Sequence, residues 1–249
     1  MIFTVAAREL RSMFLSPLAW AILAVVQLLL GFMFLSQIDT FMTWQAQIAM
    51  MEDRPGVTEV VVAPLFGNAA VVLLLVVPLL TMRLISEERR NQTLSLLFSA
   101  PLSMSEIILG KFCGVLGFLL IMLGLITLMP LSLLMGGSLD FGMLASGLLG
   151  LLLLLASFAA IGLYMSSLTT HPAVAAITTF GALLLLWIIN WMGNSGDPNS
   201  ILAHLSMLNH FEPLLKGVFN SADIAYFLLF ITTFIVLAIR RLDADRTQH

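Results

Sequence analysis

The sequence predicts an all-α integral membrane protein with six transmembrane helices, and three observations carry that prediction. First, 60% of the 249 residues are hydrophobic and only 10% are charged, with a mean hydropathy of +1.04. Soluble domains are typically about 45–50% apolar and about 25% charged, so too few polar residues remain here to cover a globule. Second, six apolar segments approach or exceed the roughly 20 residues a helix needs to cross a bilayer. They are Pro17–Ile38, Val60–Met82, Phe112–Met135, Phe141–Leu168, Pro172–Met192 and Ala222–Ile239. Third, no Asp, Glu, Lys, Arg or His sits deep inside any of them.

The basic residues set the orientation. With six spans both termini share a side, and that side collects Arg8, Arg11, Arg83, Arg89, Arg90, Lys111, Arg240, Arg241 and Arg246. Of the 11 basic residues only Arg54 and Lys216 fall on the other side. Both termini are therefore expected in the cytoplasm, together with residues 83–111. Residues 1–249 read as one domain with no internal repeat.

Residues 1–16 precede the first span. Ile2, Ala6, Leu10 and Met13 follow helical spacing, while Thr4, Arg8, Arg11 and Ser12 take another side. Ile2–Phe14 thus reads as an amphipathic helix able to lie in the headgroup layer, its arginines near anionic lipid. An ordinary basic flank that fixes topology accounts for the same residues. The first span is too long for a signal-peptide core and lacks a small-x-small cleavage site, so it reads as retained. Asp39–Glu59 follows as a polar, acidic loop with a turn at Pro55-Gly56, and Gly136-Gly137-Ser138 joins the third span to the fourth. Between the fifth and sixth spans, residues 193–221 hold two short apolar pieces. Ile201, Leu202, Leu205 and Leu208 fall at helical spacing, and Pro213–Phe219 comes after His210. Neither can span. Back to back they match a re-entrant hairpin, which needs protein to shield its backbone; a surface amphipathic loop fits them as well.

The segment Arg83–Lys111 is the most elaborate polar stretch. Glu87, Glu88, Arg89 and Arg90 crowd the exit of the second span. Leu94, Leu97 and Phe98 then fall at i, i+3 and i+4, a short apolar ridge that Pro101 stops. Ser103-x-x-Glu106 is a capping box opening the next helix. A compact ridge with charged neighbours suits a groove in a partner protein, and it equally suits a helix lying flat on the inner leaflet.

Several chemistries are excluded. Proton- and ion-coupled transporters place ionisable residues within their spans. Here the mid-membrane polar set is Gln27, Asn68, Thr81, Thr127, Thr178, Thr179 and Asn190, which can hydrogen-bond between helices or line a cavity. There is no His-Glu-x-x-His and no Gly-x-Ser-x-Gly. Glu87-Glu88-Arg89-Arg90-Asn91-Gln92 fails the Glu-Glu-x-x-x-Arg pattern at Gln92. His171, His204 and His210 are scattered, and the 15 methionines serve as packing residues. Cys113 is the one cysteine, which excludes an internal disulfide. Gly110-Lys111 is followed by Phe112, so no P-loop is present. Energy for any driven process must come from another chain.

The whole chain resembles the permease subunits of type-2 ABC exporters, most closely the gliding-motility-associated subfamily. The likeness is sharpest at Thr81–Arg90, Gln92–Leu97, Ala100–Ser103 and Ile108–Lys111, and Ile161–Thr169, His210-Phe211-Glu212 and Lys216-Gly217-Val218 also fit. Where the family often has Gly-Thr-Leu-Glu, this chain has Gln92-Thr93-Leu94-Ser95, without the glycine or the carboxylate. The resemblance implies an N-terminal elbow helix, a cytoplasmic coupling helix between the second and third spans, and a re-entrant hairpin before the sixth. It implies a bacterial inner-membrane exporter of two permeases, as a homodimer, with two separate ATPase subunits. ATP and Mg²⁺ would bind those subunits, with no cofactor, metal or catalytic residue on this chain and no nucleic-acid partner. Glu87, Glu88, Arg89, Arg90, Thr93, Leu94, Leu97, Phe98 and Pro101 would face the ATPase. The pathway would lie between the two permeases, lined mainly by the second and fifth spans, with Asn68, Thr81, Thr178, Thr179 and Asn190 as candidate lining residues. A periplasmic, membrane-anchored auxiliary protein is a further implied partner. The alternative reading of the residues is a membrane-embedded enzyme or scaffold whose insert binds something other than an ATPase.

Overall fold

The computed structural model describes residues 1–48, 56–93, 103–135, 139–193 and 206–246. The chain opens with α1 (Ile2–Leu15), which stops at Ser16 in an extended conformation with ψ 129°. Proline suits the first position of a helix, where its missing amide hydrogen costs nothing, and α2 (Pro17–Ile48) starts there. It runs past Ile38, where the apolar stretch ends, into residues expected to form a loop. That extension contains no Gly or Pro, and the hydroxyls of Thr40 and Thr43 donate to the carbonyls of Ser36 and Asp39, each at 2.8 Å.

A π-helical turn, Thr58–Val62, leads into α3 (Ala63–Thr81), and a short α4 (Ser86–Arg90) follows. The helix α5 (Met104–Ser132) begins well before its apolar stretch because its first turn is sealed. Ser103 Oγ accepts from the Glu106 amide at 3.2 Å, and Glu106 Oε2 accepts from the Ser103 amide at 3.1 Å. This is the expected capping box. In α6 (Phe141–Leu168) the cap is Asp140, whose carboxylate accepts from Gly142 and Met143. The Asp140 amide donates to the buried Thr58 hydroxyl at 3.0 Å, which ties the start of α6 to that of α3. The remaining helices are α7 (Pro172–Gly193), α8 (Met207–Leu215) and α9 (Ser221–Arg246).

Six of the described helices are long and apolar enough to cross a membrane, α3 and α4 counting as one. The most buried is α6, with 72% of its apolar window inside the protein against 17% for α7. It touches α3, α5, α7, α8 and α9 and is the axis of the bundle, with α7 on its flank.

Close helix approach needs small side chains where no hydrophobic force between helices exists in lipid. Gly110 and Gly114 of α5 meet α1: a Cβ on Gly110 would fall 2.6 Å from Val5 Cβ, and one on Gly114 2.7 Å from Glu9 Cβ. Leu10 covers Gly117, and the Phe14 ring packs tilted against Phe118 with centroids 5.3 Å apart. The register of these contacts sets α1 parallel to the first half of α5. The start of α1, α4, the start of α5 and, through the Arg89–Asp245 pair, the end of α9 share one end of the bundle, here called the terminal end.

Candidate functional site

At the terminal end α3 breaks. Pro78 lacks an amide hydrogen and weakens the ladder of α3, and the helix opens after Thr81. Met82–Ile85 form turns before α4 resumes. An opened helix strands backbone donors, and here they lie in the interior, where an unmet donor is costly. Ser166 of α6 meets them. Its Oγ accepts from the amides of Ile85 and Ser86, both at 3.1 Å, and donates to the Met82 carbonyl at 3.1 Å. Ser166, Ile85 and Ser86 are all fully buried. One turn earlier on α6, Gly162 receives Thr81, whose hydroxyl donates to the Val77 carbonyl at 2.9 Å.

Beyond the break, α4 is held by ion pairs. Lys111 of α5, only 3% exposed, lies 3.3 Å from Glu9 of α1 and 2.9 Å from Glu88 of α4. Arg89 pairs with Asp245 of α9, and Arg241 adds a contact to Asp245 at 3.6 Å. These pairs gather α1, α4, α5 and α9 into one knot. Glu87 and Arg90, by contrast, are exposed. They line an open cleft of about 480 Å³ with Arg83 and His171, between α4 and the start of α7.

A Schellman cap ends α4. The Gln92 amide donates to the Arg89 carbonyl at 3.2 Å and the Thr93 amide to the Glu88 carbonyl at 3.0 Å, the paired bonds of that motif. Its left-handed position is Gln92, at φ 56°, a backbone that suits glycine best. Leu94, Leu97, Phe98 and Pro101 lie outside the described residues.

The mid-membrane polar residues divide. Thr81 and Thr179 are fully buried, Thr179 donating to the Ala175 carbonyl at 2.6 Å. Thr178 is exposed, on a face of α7 with Val174, Leu185 and Ile188. Asn68 is half-buried on the α3 stripe of Val71, Leu75 and Leu79. The side chain of Asn190 lies outside the described residues.

At the opposite end, α8 presses into the bundle. A Cβ on Gly150 of α6 would fall 2.8 Å from Leu214 Cβ, and Phe211 and Leu214 are fully buried. His210 Nδ1 lies 2.6 Å from Asp223 Oδ1 of α9, and its ring stacks on Tyr226 at 4.1 Å. Gly217, at φ 79°, closes α8 with a second Schellman cap: its amide donates to Leu214 and that of Val218 to Pro213. The preceding piece, Ile201–Leu205, lies outside the described residues.

A family model described as an ABC-2 family transporter protein matches residues 3–245. The chain belongs to the ABC-2 transporter family. No curated protein matches it. An ABC-2 permease is the membrane component of a transporter, and members of the family associate in general with ABC ATPase subunits. In this permease the stretches Thr81–Arg90 and Ile161–Thr169 meet through Thr81–Gly162 and through Ser166. Composition and spacing assigned no role to Gly162 or Ser166. The signal was available, since the two form a small-x-x-x-small pair of their own. Glu9 and Asp245, the partners of Lys111 and Arg89, carried no comparable mark.

Proposed function

We propose that this ABC-2 permease forms the translocation pathway of a bacterial inner-membrane exporter, as a homodimer driven by two separate ATPase subunits. The basic bias of the terminal end supports a cytoplasmic position for both termini and for residues 83–111. The observation that carries the reading is the break at the end of α3. A short helix set off from its span by a patched gap, yet tied to α1, α5 and α9, is suited to receive a push and pass it on as a unit. The ATPase would bear on Arg90, Thr93 and the ridge of Leu94, Leu97 and Phe98 before Pro101, and would hold the ATP and Mg²⁺. Glu88 and Arg89 would then transmit force rather than contact the partner, since each already has an ion pair within the subunit.

The uncovered stripes of α3 and α7 support a pathway between two permease copies, with Asn68 and Thr178 as polar side chains along it. The insertion of α8 against Gly150 supports the re-entrant reading of the segment before α9. Likeness to the gliding-motility-associated subfamily supports a periplasmic auxiliary partner.

Replacing Leu97 or Phe98 with Asp tests the coupling. Either change would bury an unpartnered charge in the ATPase contact, which costs several kcal/mol. A loss of about 3 kcal/mol weakens association more than a hundredfold. The permease should still insert while ATPase recovery in a pull-down collapses. Unchanged recovery from both variants would remove the coupling assignment.

A further inference from the structure

We infer that the crevice between α1, the start of α2 and the end of α3 binds one phospholipid whose headgroup carries both a phosphate and a primary amine. The crevice has a volume of about 240 Å³, room for a headgroup and its glycerol. Its polarity is graded along the helices. Leu18, Leu79 and Leu80 line one end, and Ser12, Arg83 and Glu87 line the other, toward the chain terminus. Leu18 and Leu79 are 37% and 42% exposed, so acyl chains leaving the crevice would run over them into the bilayer. An amphiphile entering from the membrane thus meets leucine first and charge last.

The charged end specifies the headgroup. Among the described residues, neither Arg83 nor Glu87 forms an ion pair, and both are exposed, Arg83 in the break after α3 and Glu87 in α4. A third charge in the lining, Glu9, is already held by Lys111 at 3.3 Å. A guanidinium offers a planar fork of donors to a phosphate, with the Ser12 hydroxyl beside it. The Glu87 carboxylate can pair with an ammonium by charge and hydrogen bond together, whereas a glycerol headgroup offers it only neutral hydroxyl donors. Arg83 alone would accept any anionic lipid or free phosphate. Arg83 with Glu87 selects the zwitterion, and only a lipid uses the leucines as well. The inner-leaflet location rests on the topology proposed above, whereas the binding does not.

The test uses the full-length permease, delipidated in detergent and mixed with micelles holding equal phosphatidylethanolamine, phosphatidylglycerol and phosphatidylcholine. Lipids retained are counted by native mass spectrometry. The expected result is one phosphatidylethanolamine per subunit, favoured about tenfold over the other two, the ratio that one charge-assisted hydrogen bond supports. Arg83→Ala should lower retention of all three lipids about tenfold. Glu87→Gln should abolish the preference while leaving phosphatidylglycerol retention as it was. Both side chains are exposed, so folding should survive either change. Equal retention of the three lipids by the unmodified protein, or an unchanged pattern in both variants, would overturn the assignment. Release of the lipid by millimolar inorganic phosphate would identify a free-anion site instead and would also overturn it.

Discussion

Thr81 and Gly162 touch with no room to spare: a Cβ on Gly162 would fall 2.1 Å from Thr81 Oγ1 and 2.7 Å from Thr81 Cβ. Glycine inside a helix normally costs up to about 1 kcal/mol relative to alanine, so Gly162→Ala should stabilise α6 taken alone. Overpacking costs about 1–3 kcal/mol, and at this separation it should win. The expected outcome is a lower midpoint in detergent thermal unfolding. Thr81→Ala in the same chain should restore part of the loss, because it removes the nearest atom but leaves Cβ.

Ser166→Ala removes one hydroxyl and strands two buried donors. Each unmet buried donor costs about 1–3 kcal/mol, so a destabilisation of at least about 2 kcal/mol is expected. The effect should also be local. Hydrogen exchange should show the Ile85 and Ser86 amides losing protection while the middle of α6 keeps its own.

Gln92 holds a left-handed backbone at φ 56°, which costs a residue with a Cβ about 1–2 kcal/mol. Gln92→Gly should raise stability by up to about 1 kcal/mol, its gain trimmed by the greater freedom of the unfolded chain. Gln92→Val should lower it, since a β-branched residue fits that backbone worst. Equal unfolding midpoints for the two variants would refute the strain argument.

Lys111 is nearly inaccessible, but Glu9 and Glu88 are 21% and 25% exposed. Breaking a fully buried pair costs about 3–5 kcal/mol. With the carboxylates partly wetted, Lys111→Met should cost less, about 2 kcal/mol. Adding Glu9→Gln and Glu88→Gln should recover part of that, because the two anions no longer face each other alone. A triple variant no more stable than Lys111→Met would show that the amine contributes through packing alone.

Much of this architecture could be read from the residues. The number of spans followed from hydropathy, because lipid demands unbroken apolar helix, and Ser103 and Glu106 announced their capping box by spacing alone. Helix lengths were less legible. Hydropathy measures the apolar part of a helix, and α2 reaches Ile48 and α9 reaches Arg246 through residues that read as loop and tail. Partners were the least legible. Periodicity says which face of a helix is small or charged but not which helix will meet it. Thus four-residue spacing of Gly110 and Gly114 permits a close approach but cannot choose α1 as the helix that makes it. Asp245 lies beyond the predicted sixth span, which ended at Ile239, yet it pairs with Arg89. Thr81 and Thr178 read alike as polar residues within spans, yet one is sealed against Gly162 and the other faces outward.

The length of α5 has a mechanical consequence. Its 29 residues at 1.5 Å each make a rod of about 43 Å, while the hydrocarbon layer is about 30 Å thick. Held along the bilayer normal, such a rod leaves about 13 Å clear of the oil. The capping box at Ser103 seals the terminal end against fraying, and α1 is strapped along the same portion through Gly110 and Gly114. A stiff rod with one end clear of the bilayer is a lever whose fulcrum is the membrane face. With arms of about 13 and 30 Å, a small sideways displacement of the clear end becomes one roughly twice as large, and opposite in direction, at the far surface.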